Sequence, residues 1–239
     1  MSKRSICRGI LVLVGIFIAA VSLAGTPDPT HSIVPTFIRV GGATGLSGLP
    51  DPSIATTITL RDAASNPLVG ETVTLDFTGC TDTRLCTATV GVNCPTKTVT
   101  GTTNAAGQVS FSVMGINTMA GTGTPVGPGA GAGCVTIKGG SPSVILGKAT
   151  AVTYDLVSNG VSAVDLSLAV SEVMANIAAN PEGSCGPGPL YRGRIDYKED
   201  GVINGSDLAA YLDIVGRSNA GSGSGAGCAA GGTVQPYCP

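Results

Sequence analysis

The sequence predicts a mainly β chain with a small α module, a two-sheet β-sandwich followed by a pair of loop-helix units. Three observations carry this. Between Ile33 and Tyr154, Thr- and Val-rich runs alternate apolar and polar residues with a period of two. After Tyr154 the apolar spacing becomes that of helices. Between the two helical stripes lies Asp196-Tyr-Lys-Glu-Asp200-Gly201-Val-Ile-Asn204-Gly-Ser-Asp207, which has the layout of a calcium loop.

The chain opens on a leader. Lys3, Arg4 and Arg8 precede the apolar run Ile10 to Leu23, which closes on small residues at Ala24. This is the pattern of a secretory signal peptide over residues 1–24, so export to the extracellular space or cell surface is expected. The apolar run falls short of the ~20 residues that a spanning helix needs, so no retained membrane span is expected. Loss of Lys3, Arg4 and Arg8 takes the basic count from 13 to 10 against 15 acidic residues, a net charge of −5. Nothing basic is left to track a phosphate backbone, so nucleic acid is not an expected partner.

The strands come next. In Thr57-Ile58-Thr59-Leu60-Arg61, Ile58 and Leu60 share a face. Thr72 to Phe77 does the same with Val73, Leu75 and Phe77, and Val109-Ser-Phe-Ser-Val113 repeats the pattern. Asn66-Pro67 and Asn104-Ala-Ala-Gly107 supply turns. Further strands are expected near Lys97 to Thr103, Val135 to Lys138 and Ile145 to Tyr154. Several short strands at this spacing describe a sandwich. The Gly/Pro run Ala120 to Gly133 reads as a solvated insertion between late strands.

Helical spacing follows. Leu166, Val170, Val173 and Ile177 form one stripe, ended by Asn180-Pro181. Leu208, Leu212 and Val215 form a second, closed by Gly216 in the place of a C-terminal cap. The stripes are expected to pack on each other. From Arg217 the tail turns Gly/Ser-rich.

Seven cysteines remain after the leader: Cys80, Cys86, Cys94, Cys134, Cys185, Cys228 and Cys238. Export makes disulfides possible. The first four could form two bridges, and Cys228 or Cys238 could pin the tail to Cys185. Seven is odd, so one thiol is free or joins a second chain as a disulfide-linked dimer.

In the acidic loop, Asp196 and Asp200 would bind calcium through carboxylates and Val202 through its carbonyl. Asn204 would act through water, and Asp207 from the start of the next helix. Lys198 stands where the third position usually offers an oxygen. The alternative for these residues is an acidic surface turn before a helix. Aspartate at the twelfth position, followed by Leu208, resembles the EF-hand-like loop of a dockerin type I domain. Such domains carry two repeats, and Asp155-Leu-Val-Ser-Asn159-Gly160-Val-Ser-Ala-Val-Asp165-Leu166 repeats the order in worn form. It is one residue short after the glycine, with Val157 at the third position, and is expected to have lost the metal. The resemblance covers residues 153–217 and leaves 218–239 as tail. It implies calcium binding and docking to a cohesin-type partner through Gly205-Ser206 and Ala163-Val164, where Val164 is atypical.

A second resemblance covers residues 33–154. Thr57 to Asp62, Asn66-Pro67-Leu-Val-Gly70 to Phe77 and Thr103-Asn-Ala-Ala-Gly107-Gln-Val-Ser-Phe111 are similar to the bacterial Ig-like domain of invasins and intimins. It implies an Ig-like sandwich in which the cysteines and the Gly/Pro run are departures.

Chemistry for catalysis is not expected. His31 is the only histidine and precedes the first strand, no phosphate-binding Gly-Lys-Ser/Thr occurs, and tryptophan is absent. Two functions follow from these readings. One is a secreted, non-catalytic protein whose dockerin-like module binds calcium and docks to a partner. The other is a structural or adhesive spacer stiffened by calcium and disulfides.

Overall fold

The alternating runs become strands that pair largely as one sheet. In the computed structural model, residues 25–44, 49–50, 54–117, 133–154, 163–179, 195–198, 200, 202–219, 228–230, 233–234 and 237–238 are described. The strands are β1 (Phe37–Gly41), β2 (Ala43–Thr44), β3 (Leu49–Pro50), β4 (Thr56–Thr59), β5 (Thr72–Asp76) and β6 (Thr83–Leu85). They continue with β7 (Val92–Asn93), β8 (Thr98–Thr102), β9 (Gln108–Phe111), β10 (Val113–Asn117), β11 (Val135–Gly139) and β12 (Val144–Thr153). Two helices follow, α1 (Ala163–Ala179) and α2 (Gly205–Asn219), then a short pair β13 (Ala229–Ala230) and β14 (Thr233–Val234). The chain is therefore mainly β with a small α module. No helix among the described residues is long and apolar enough to cross a membrane.

Eight strands form one sheet in the order β6-β10-β1-β12-β11-β5-β8-β7. Strand β1 runs parallel to both neighbours, and the other pairs are antiparallel. A second pair, β4 with β9, sets Thr57 opposite Ser110 and Ile58 opposite Val109. On its outer face the hydroxyls of Thr57 and Ser110 meet at 2.8 Å. Strands β9 and β10 are separated only by Ser112, so one run of chain serves both the pair and the large sheet. Ile58, Leu60, Val109 and Phe111 then share one buried cluster with Ile38, Val73, Leu75, Phe77, Val99, Val135 and Ile137. Ile58, Leu60, Val73, Leu75, Phe77, Val109 and Phe111 are the residues that the period of two placed on one face.

The turns use the expected residues. The Asp62 carboxylate accepts from the Ala64 and Asn66 amides at 2.9 and 2.8 Å, closing the loop into Asn66-Pro67. Asn104 Oδ1 accepts from the Ala106 and Gln108 amides, and Gly107 takes a φ of +71°, a conformation that a side chain would strain. Gly101 matters for another reason. A Cβ there would lie 2.7 Å from Val109 Cγ2, so the bare backbone lets β8 settle on β9's inward side chains.

The disulfides correct the expected pairing. Cys80 bonds Cys134, Cys86 bonds Cys228 and Cys94 bonds Cys238. Only one bridge lies inside the β region, and the tail cysteines reach back to it instead of to Cys185. The Cys94 and Cys238 Cα atoms stand 4.9 Å apart although 144 residues separate them in sequence. Cys7 and Cys185 lie outside the described residues, as do residues 1–24, most of the Gly/Pro run, Asp155 to Ser162 and Asn180-Pro181.

The helices also differ from expectation. Their buried faces carry Asp165, Ala169 and Val173 on α1 and Asp207 and Tyr211 on α2, while Leu212 is exposed. On α1 the expected stripe holds in part, since Val173 is buried and Leu166 packs against the same buried cluster. On α2 the buried face is turned by about one residue from the stripe, because Asp207 is buried at the helix start. Helix α2 also runs through Gly216 to Asn219. Glycine costs a helix interior about 1 kcal/mol but does not end it.

A second buried cluster joins the helical module to the sheet. It contains Ile54, Met114, Val152 and Tyr154 from the β region, Ala169, Val173, Ile195, Tyr197, Ile203 and Tyr211 from the helical module, and the Cys86–Cys228 bridge. The rings of Tyr154 and Tyr197 stack at 5.2 Å and 16°, and Tyr197 meets Tyr211 at 5.0 Å. Such ring pairs add about 0.5–1.5 kcal/mol each beyond their buried area.

Candidate metal centre

The acidic loop enters α2 through a cap. Asn204 precedes the helix, and its Oδ1 accepts from the Ser206 amide at 2.7 Å. Three residues on, Asp207 reaches back so that its Oδ2 accepts from the Asn204 amide at 2.8 Å. The other oxygen of Asp207 accepts from the Lys198 amide at 3.0 Å, which ties the helix start to the beginning of the loop. Asp196 Oδ1 takes the Asp200 amide at 3.2 Å, and Asp200 Oδ1 takes the Val202 amide at 2.9 Å. The chain thus wraps around its own carboxylates.

These bonds bring the carboxylates of Asp196, Asp200 and Asp207 together, with one oxygen of each within 4.8 Å of the others. Calcium holds its oxygens at 2.3–2.6 Å, so oxygens sharing one ion stand no more than about 5 Å apart. The set fits. Asp196 and Asp207 are fully buried and Asp200 is exposed, an arrangement with one open side. Burial, with Asp196 and Asp200 close by, pushes the Asp207 carboxyl up from 3.8 to about 6 against the pull of its two amide hydrogen bonds. A divalent cation on the loop would relieve that cost. Lys198, the residue that speaks against a metal, is exposed, and its long stem can carry the ammonium to water.

Of the other expected ligands, Val202 is half-buried next to Ile203, and Asn204 spends its amide oxygen on the helix cap. Gly201 lies outside the described residues. At the start of α1, Val164 is exposed; at the start of α2, Gly205 is exposed and Ser206 half-buried.

Sequence reasoning missed Tyr197, Ile195 and Ile203. They sit between and beside the acidic residues and are all buried in the cluster shared with the β region. Burial first, then the nearby Tyr211 and Tyr154 rings and the carboxylates of Asp165 and Asp207, raises the Tyr197 phenol well above its usual value, so it stays protonated. Its hydroxyl has no hydrogen-bond partner among the described residues. An aromatic residue inside a polar loop was the available signal.

Compared with protein-family models, curated proteins and solved structures, the chain finds no match.

Proposed function

We propose that this chain is an exported, non-catalytic modular protein. In this reading its helical module is dockerin-like, binds one calcium ion at Asp196, Asp200, Val202, Asn204 and Asp207, and docks to a cohesin-type partner. The β region is Ig-like and is the part presented by the docked module. The observation that carries the reading is the convergence of the three carboxylates at loop positions one, five and twelve, with Asp207 held by amides from both ends of the loop. The β4–β9 pair lying on a larger sheet, with β1 parallel to β12, supports the Ig-like part. Three disulfides are compatible with an extracellular protein.

A second reading has its own support. The Cys86–Cys228 and Cys94–Cys238 bridges and the shared tyrosine cluster stiffen the join between the β region and the helices. A structural or adhesive spacer needs that stiffness and needs no cohesin. Calcium titration by calorimetry tests the metal, and capture on immobilised cohesin modules with and without chelator tests the docking. Heat at one site with chelator-sensitive capture supports the first reading. Heat without capture leaves the spacer, and no heat at millimolar calcium removes the metal from both.

A further inference from the structure

The last described residues return to the β region. Cys228 bonds Cys86 directly after β6, Tyr237 bridges Cys86, the Cys238 amide donates to the Leu85 carbonyl at 2.8 Å, and Cys238 bonds Cys94. Both helices therefore lie in a stretch anchored at two ends, by strand β12 before them and by the bridges after them. The Cys86–Cys228 bridge is fully buried in the cluster that holds Tyr154, Tyr197 and Tyr211. Ile195 and Tyr197, which flank Asp196, pack there too, as does Ile203 between Asp200 and Asp207. Residues between and beside the acidic ones are thus packed in the cluster shared with the β region.

We propose that the tail is a covalent strap that holds the helical module on the β region, and that it thereby shapes the acidic loop, so that cutting the strap loosens the module and weakens cation binding. The second half rests on the calcium reading; the first does not. The strap opens by thiol–disulfide exchange with a dithiol reductant. One thiolate attacks a bridge sulfur to give a mixed disulfide, and the reductant's second thiol resolves it. For each bridge opened, the protein gains two electrons and two protons as two cysteine thiols, and one reductant molecule leaves as its own disulfide. Because metal and strap favour the same docked state, each strengthens the other by the same factor.

The test uses the full exported chain with Cys86→Ser/Cys228→Ser, with Cys94→Ser/Cys238→Ser, and with both pairs. Cys80–Cys134 is kept in all, and the far-ultraviolet β signal confirms folding. The docked tyrosines are read by near-ultraviolet dichroism, the spread of the two parts by small-angle scattering, and calcium itself by titration. Removing both pairs should lower the tyrosine signal, raise the radius of gyration and weaken calcium by about fivefold or more. Where a variant does not fold, stepwise dithiol reduction of the native chain, with mass mapping of the opened bridges, gives the same readouts. Unchanged tyrosine signal and radius with both bridges open overturns the strap. Lost docking with unchanged calcium affinity overturns the coupling. A native chain that binds no calcium overturns the metal reading alone, since docking is still read from tyrosine and scattering.

Discussion

Replacing Asp207 by asparagine should change the sign of its effect when calcium is added. Asp207 is fully buried beside two other carboxylates, and its carboxyl is pushed up from 3.8 to about 6. At neutral pH the charged form therefore costs at most about 3 kcal/mol, since each pH unit is worth about 1.4 kcal/mol. Solvent on the open side of the loop brings the working figure to about 1–2 kcal/mol. Asparagine removes that charge and keeps one oxygen to accept either the Lys198 or the Asn204 amide. Losing the other bond costs about 1 kcal/mol. Without calcium, Asp207→Asn should thus be neutral or up to about 1 kcal/mol more stable. With about 1 mM calcium and a dissociation constant near ~0.1 mM, the tight end for extracellular modules, the native chain gains roughly 1.4 kcal/mol that the variant does not. The ranking then reverses. Denaturant unfolding followed by the helical dichroism signal, with chelator and with calcium, measures both differences. Equal stabilisation of the two proteins by calcium would refute the assignment of Asp207, and none in either would refute the site.

The same carboxyl sets a pH dependence. Its folded value lies above its unfolded one, so without calcium this carboxyl's contribution to stability is greatest below about pH 4 and is lost as pH rises through about 6, by on the order of 1 kcal/mol. Protons compete with the ion, and calcium affinity measured by titration should drop below about pH 6. Lys198→Asn should tighten calcium about threefold to tenfold, by adding an oxygen at the third loop position and removing an exposed positive charge; an unchanged constant would show that the ammonium is already out of the ion's reach. Leu75→Ala, in the core beneath the β4–β9 pair, should cost about 2–5 kcal/mol in denaturant unfolding, and a loss under 1 kcal/mol would argue against the shared core. Breaking Cys80–Cys134, which closes a separation of 54 residues, should cost up to about 4 kcal/mol on the same assay, and no loss would mean that the bridge constrains little.

Local pattern determined several of the strands and the acidic triad. Alternation in Thr72 to Phe77 or Val109 to Val113 records burial on one side whatever the partner strand, so the strands and their inward faces could be read directly. Asp196, Asp200 and Asp207 are close in sequence, and their spacing around one turn brings them together. The tertiary structure decided what distance in sequence hides. Cysteines carry no local mark of their partner, and Cys86 finds Cys228 across 142 residues only because the tail folds back along β6. The helix faces followed the same logic. A hydrophobicity criterion chose Leu208 and Leu212, but Asp207 must point inward to close the loop and takes Tyr211, one turn on, in with it. Tyr197 looked like a loop residue among charges; the end of β12, with Tyr154, gave it something to pack on, and with it the join between the two parts of the chain.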